Sequence, residues 1–419
     1  MHANRLLLFV VVLGAIVLQG CSDATQGPAT SAASDAMITT EDAPLGDVMR
    51  SDVMLNDTQH QDTPLKSDGK GGHPLSQDDL FNAQVVQRIA LTIDDAELKK
   101  MHAALPERVW GRATFTWRGK TLNNIGVRYK GNSSSSPNQQ HKRGFLLRFN
   151  RFVEGQRLLG LRRLALDNGV QFGSLFSERF VGEVLQREGV TISRSAWATV
   201  RVNGDNRGVF VLVERIDESF LAHRFGDTLG LLYKVHTGGP GANLAVLPNA
   251  AAYGQAFEAK SDAAETDGYT GLRTLCQDLA TVPDAKLEAW LTAHFDLEGF
   301  LRFTAVALLA GAFDQYTGWN VHNFYLHRAV PKQDSAKTQR WTYLPWDLDV
   351  GFADKAFGCI PVIDGWNAAW PLPATPRPLL ARILGHPALL ARYRAHAHRI
   401  LESHFKPADV ATWLDQAHV

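Results

Sequence analysis

The chain has 419 residues and a formal net charge of zero, with 43 basic and 43 acidic side chains. No basic excess is left over for nucleic acid, which excludes it as the main partner. The length suits one large two-lobed domain or two small ones.

Met1 to Arg5 is a short basic start, and Leu6 to Leu18 is an apolar run that ends in Leu18-Gln19-Gly20-Cys21. The run is too short to cross roughly 30 Å of hydrocarbon comfortably, so residues 1–21 read as a signal peptide. The small residue before Cys21 makes the stretch resemble a bacterial lipobox, which implies lipidation at Cys21 and a membrane anchor that does not span. A plain secretory signal is the alternative. Ser22 in place of Asp leans toward the outer membrane. We therefore expect an exported bacterial lipoprotein of the cell envelope, at the outer membrane or cell surface. Cys276 and Cys359 are then either a disulfide or two separate thiols.

Residues 22–75 are rich in Ser, Thr, Asp, Ala, Gly and Pro and close in Gly69-Lys70-Gly71-Gly72. Such a stretch cannot bury enough apolar surface to order itself, and it predicts a flexible tether. No internal repeat is visible. The folded part is expected over 76–419. Val85 to Ile93 has strand character, and Asp94 to Met101 reads as a capped helix. Ala113–Trp117, Thr121–Lys130 and Gly144–Phe149 read as strands. Phe172 to Glu188 has helical spacing. Ala196–Val202 and Gly208–Val213 flank a hairpin signal at Asn203-Gly204.

After Asp217 the character turns helical: Glu218–Arg224, Tyr269–Leu279, one or two helices over Ala285–Leu309, and most of Pro378–Val419. A strand pair, Asn323–Arg328 and Arg340–Pro345, interrupts them. The expected fold class is α+β, with a β-rich N-terminal lobe over about 76–216 and a mostly helical C-terminal lobe over about 217–419.

The second of those strands runs into Pro345-Trp346-Asp347-Leu348-Asp349. If it continues through them, Asp347 and Asp349 share a face. Paired carboxylates suit a hard cation such as Mg²⁺, although a structural Ca²⁺ site or a plain turn would read alike. Asp314 follows an almost wholly apolar helix and precedes His322-Asn323. An Asp and an Asn before a strand pair, then an Asp after it, is the order of catalytic Asp, metal-binding Asn and metal-binding Asp in protein kinases.

Lys130-Gly131-Asn132-Ser133 follows a strand directly. Glycine and small hydroxyl residues let backbone N–H groups approach phosphate, though a polar hairpin loop looks the same. Arg128 and Lys130 alternate on one strand face, and Lys142, Arg143 and Arg148 follow. Arg148 sits in an apolar strand, where it either faces solvent or meets an anion. Glu178 and Glu183 lie on the long helix, either as partners of a phosphate-binding cation or on a solvated face. Glu214 ends a strand at the lobe junction, where a nucleotide base or an ordinary loop would sit. Lys234, alone in an apolar strand, either reaches phosphate or snorkels.

Together these pieces resemble the CotH kinase family. The matching segments are Val127–Ser134, Lys142–Phe149, Val202-Asn203-Gly204 with Gly208–Glu214, Leu232-Tyr233-Lys234, His322–Leu326 and Leu344–Asp349, in family order. The resemblance implies a divergent two-lobed protein-kinase-like fold that binds ATP with Mg²⁺ or Mn²⁺. It implies that Asp314 orients or deprotonates the acceptor hydroxyl, and that Asn323 and Asp347 hold metal with Asp349 supporting. Arg148 or Lys142 would contact phosphate, backed by Glu178 or Glu183. Asn320 competes with Asn323, because the loop between Asp314 and Asn323 is longer than in kinases. The best strand cation is Arg148, where kinases carry Lys. The expected activity is transfer of phosphate from ATP to Ser or Thr of an exported protein. A non-catalytic surface or adhesion module and a metal-dependent glycosyltransferase are the alternatives.

Overall fold

The computed structural model describes residues 74–131, 136–139, 142–170, 175–226, 230–236, 238–312, 314–318, 321–329, 339–352 and 376–417. The signal peptide, Cys21, most of the 22–75 stretch, Asn132, Ser133, Asn320 and Cys359 lie outside them.

The architecture is α+β. A short capped helix, α1 (Gln77–Leu80), leads into β1 (Gln87–Ile93), α2 (Asp95–Ala103), β2 (Gly111–Trp117), β3 (Lys120–Lys130), β4 (Gly144–Arg148) and β5 (Arg163–Asp167). Helix α3 (Ser177–Arg187) and the hairpin β6 (Ser195–Val202) and β7 (Asp205–Glu214) follow. These strands close a barrel in the order β1-β2-β3-β4-β5-β7-β6, sealed by the parallel pair β1·β6. Closure leaves no free edge. Alternation drives it: Ile89, Leu91 and Ile93 of β1 point inward with Phe115, Trp117, Val127, Leu147 and Leu164. The Asn203-Gly204 hairpin turns with positive φ at both residues.

The second half is α4 (Glu218–Phe225), β8 (Leu231–Val235), β9 (Phe257–Ala259), α5 (Asp262–Asp267), α6 (Thr270–Thr281), α7 (Asp284–His294), α8 (Leu297–Ala310), β10 (Phe324–Arg328), β11 (Trp341–Pro345), α9 (Pro378–Gly385), α10 (Pro387–His404) and α11 (Pro407–Ala417). The strand around Lys234 and the strand pair expected near 323–328 and 340–345 form as β8, β10 and β11, and with β9 they make a four-stranded sheet in the order β11-β10-β8-β9. One face of that sheet, with Tyr233, Phe324 and Tyr343, packs on α6 and α8. The other, with Leu232, Tyr325 and Leu344, packs with Trp346 against Leu146, Ala165, Val211 and Val213 of the barrel's outer face. Cys276 is a buried free thiol in α6. Among the described residues no helix is long and apolar enough to cross a membrane.

Candidate functional site

The site forms where the barrel's outer face meets the end of β11. The strand stops at Pro345 rather than running through the carboxylates, and Asp347 takes φ +60°. The sharing of a strand face expected for Asp347 and Asp349 therefore does not occur. Instead the chain turns at Asp347, which stays partly exposed, and Asp349 is buried.

Three elements fix this turn. Trp346 N donates to Asn323 O at 2.9 Å, tying it to the loop before β10. Gln315 Nε2 donates to Trp346 O at 2.8 Å. From the first turn of α3, Glu178 accepts from Leu348 N, and Ser177 Oγ donates to Gly351 O at 2.7 Å. A Cβ on Gly351 would lie 3.3 Å from both Ser177 Cβ and Val181 Cγ2, so this close approach favours glycine.

Lys130, the last residue of β3, reaches across the face. Its Nζ bonds Asp167 and lies 3.0 Å from Asp347 Oδ1. Register explains the reach: Lys130 pairs with Gly144, and β4 next to β5 carries the row on to Asp167. Without a side chain at Gly144 the lysine can cross to Asp167. Burial would lower the Lys130 ammonium, but Asp167 and then Asp347 outweigh it and hold it well above the usual lysine range. The Asp347 carboxyl is held low: burial opposes this, and Lys130 prevails. Burial, then the charges of Asp347 and Asp167, pushes Asp349 far above the carboxylate range. Burial, with the same two charges behind it, lifts Glu178 to about 8.

On the other side, Asn323 Nδ2 donates to Asp314 Oδ2 at 3.0 Å, and His322 Nδ1 lies 3.2 Å from Asp314 Oδ1. Asn323 itself has φ +58°. Lys234 of β8 faces the barrel. Burial, then the charge of Arg215, lowers its ammonium to about 8, while Asp347 acts against them.

Lys130, Asp347, Asp349, Glu178, Asp314 and Asn323 thus come together, with Lys234 nearby. Others do not join them. Glu183 turns away to Arg187 and Trp413. Glu214 is fully buried between Arg194 and Arg224, a structural ion cluster rather than a surface for a base. Lys142 donates to Val209 O and caps the Phe210 ring. Arg148 sits at the other end of β4 beside Arg163, so the strand cation is Lys130. Arg128 stacks on Trp110, two residues from Lys130 on the same face. Asp167 was not singled out by sequence. Its only signal is the alternation of Leu164, Leu166 and an outward Asp before Asn168-Gly169.

Among the described residues no group of three or more His, Cys, Asp or Glu could hold a metal ion. A phosphoryl-transfer Mg²⁺ needs no such cage, since one or two carboxylates and substrate phosphates complete its oxygen shell. The Asp347 carboxylate and the Asn323 amide oxygen are hard donors of that kind, so the residues present fit the ion.

The fold and site define an α+β protein whose lysine–carboxylate cluster sits at a strand end, facing an Asp–Asn pair. A family described as CotH kinase protein matches residues 127–418, and the chain belongs to that family. It is similar to the inner spore coat protein H of Bacillus subtilis (strain 168), 25% identical over 212 residues. The match covers 49% of this chain and 54% of that protein, so the chain spans about half the length of its curated relative.

Proposed function

We propose that this protein is an exported, lipid-anchored kinase of two-lobed, protein-kinase-like architecture. It moves the terminal phosphoryl group of ATP to a Ser or Thr hydroxyl of an exported or cell-surface protein, with Mg²⁺ or Mn²⁺. The observation that carries this reading is the Trp346 N to Asn323 O bond, which sets the Lys130-held Asp347 beside the Asp314–Asn323 pair.

In this reading the barrel, about 76–216, is the N-terminal lobe, and 217–419 the C-terminal one. Lys130 and Lys234 supply positive charge for the phosphates, and a phosphate beside Lys234 would favour its ammonium form against the burial that disfavours it. Asp314 accepts the hydroxyl proton, and its contacts with His322 and Asn323 fix its direction. Asp347 and Asn323 would hold the cation, which when bound offsets charge on the phosphoryl oxygens. Kinases pair the phosphate lysine with a helix glutamate. Here Asp167 takes that role toward Lys130, and Glu178 supports the Asp347 turn through Leu348. The relative's name as a spore coat protein supports a surface-associated setting.

The test is incubation of the purified protein with labelled ATP and Mn²⁺, beside Asp347→Ala. Label incorporation that the variant loses supports the kinase. Nucleotide binding without transfer would point to a non-catalytic module, and sugar-nucleotide binding in place of ATP to a transferase.

A further inference from the structure

The last helix, α11, opens on Pro407, whose missing N–H costs nothing in a first turn. It has 11 residues, and an isolated helix that short is marginal in water. Packing must therefore hold it, yet no residue of α11 is fully buried. Its inward face is Val410, Trp413 and Ala417, at spacings of three and seven. Of these, only Trp413 packs on both the core of the second half and the layer between sheet and barrel. A cavity of about 40 Å³ remains beside it, against Phe180, Val184, Ser403 and Asp409.

Trp413 grips α3 at the end that faces the site. Its ring centroid lies 6.2 Å from Phe176, 5.1 Å from Phe180 and 5.8 Å from Trp197 of β6, and its Nε1 donates to Glu183 at 2.8 Å. The start of α3 needs such a grip, because its N-cap residue is Phe176, whose side chain offers no capping oxygen. Between the two gripped rings sit Ser177 and Glu178, which hold Gly351 O and Leu348 N of the turn at Asp347. Phe180 also meets Phe352, 5.5 Å away, whose N donates to Ala310 O at the end of α8. One aromatic cluster thus joins the C-terminal helix, the start of α3 and the segment after the turn. The body of α3 has other anchors: Arg179 donates to Ser195 O at 2.6 Å, and Val181, Val184 and Leu185 enter the core. The first turn depends on the rings.

We propose that Trp413 is a positioning residue for the site. Docked on Phe176 and Phe180, it keeps the first turn of α3 where Glu178 and Ser177 can hold the Asp347 turn. Helix α11 is then a latch, and its release loosens that turn from behind, without touching a group that meets substrate. The bearing of the latch on phosphoryl transfer rests on the function proposed above; the coupling from Trp413 to the turn does not.

The test is hydrogen exchange of the full chain, without nucleotide or metal, read at the amides of Leu348 and Phe352. Trp413→Ala should speed exchange at both by about tenfold or more, because local opening sets the rate, and leave the amides of β1 unchanged. Trp413→Phe, which keeps a ring against Phe176 and Phe180, should stay within about threefold of the native chain. Val410→Ala loosens the same helix face more gently and should speed the same two amides by a smaller factor, with unchanged circular dichroism. Trp290→Ala removes an equally large, partly buried ring from α7 and should leave both amides as in the native chain. Unchanged exchange at Leu348 in both Trp413→Ala and Val410→Ala would overturn the proposal. So would an equal acceleration in β1, or in the Trp290→Ala protein. In the label-transfer assay Trp413→Ala should lose transfer and Trp413→Phe should keep it; undiminished transfer by Trp413→Ala would overturn the positioning role. A native chain that transfers no label would count against the kinase alone, and the exchange rates would still decide the latch.

Discussion

Removing the Lys130 ammonium should be the most damaging single change at the site. Lys130 Nζ bonds Asp167 and lies 3.0 Å from Asp347, and its charge also acts on Glu178 and Asp349. Lys130→Met leaves these carboxyls facing one another with only the more distant Lys234 ammonium to offset them. Breaking a buried pair by deleting one partner costs about 3–5 kcal/mol. Water reaches Asp347, whose side chain is 32% exposed, so the low end, about 3 kcal/mol, applies. Asp167→Asn keeps Asp347 as a partner and should cost about 1.5 kcal/mol, the scale of one hydrogen bond to a charged group. The double variant should fall short of the sum by about 1–2 kcal/mol, since contacting residues couple. Urea denaturation of the four proteins measures this. Additivity within about 0.5 kcal/mol would refute the Lys130–Asp167 pairing.

Glu178→Gln should be nearly silent in stability at neutral pH, because an amide oxygen can still accept from Leu348 N. Glu178→Ala strands that buried N–H and should cost about 1–3 kcal/mol, read by the same denaturation. Glu188 bonds Arg399 and His404 of α10. Burial pushes its carboxyl up, but these partners outweigh burial and hold it below the usual glutamate range. Its folded value lies below its unfolded one, so its stabilisation is complete above the ordinary glutamate range. It is lost as the pH falls through the folded value. Glu188→Gln should therefore lower stability at about pH 6 and flatten the acid limb of a pH–stability profile. Cys21→Ser should release the protein from membranes in a fractionation experiment; unchanged retention would argue against the lipid anchor.

Several parts of this site are legible in the chain. Asp347 and Asp349 stand out because two acids directly follow an apolar strand, and Asp314 because it ends an apolar helix. Glu178 could have been separated from Glu183 by helical phase. It shares a face with Val181 and Leu185 at spacings of three and seven, the face that is buried, and Glu183 lies off it. Asp167 could not be found that way. It is one outward acid at the end of a five-residue strand, and its partner lies 37 residues back on a strand two places across the barrel. The choice between Lys130 and Arg148 also depends on which barrel rim meets β11, a long-range fact that local alternation does not carry. The turn at Asp347 was hidden for a related reason. Its positive φ is imposed by contacts with α3 and with the Asn323 loop, not by its own neighbours.

The central claim is phosphoryl transfer with Asp314 as proton acceptor and Asp347 as the metal-holding carboxylate. It is tested most directly by measuring ATP binding and label transfer together in the native protein, Asp314→Asn and Asp347→Ala. The account predicts that Asp314→Asn binds ATP as the native protein does and transfers no label. It predicts that Asp347→Ala loses transfer along with metal-dependent binding. Undiminished transfer by Asp314→Asn would contradict it.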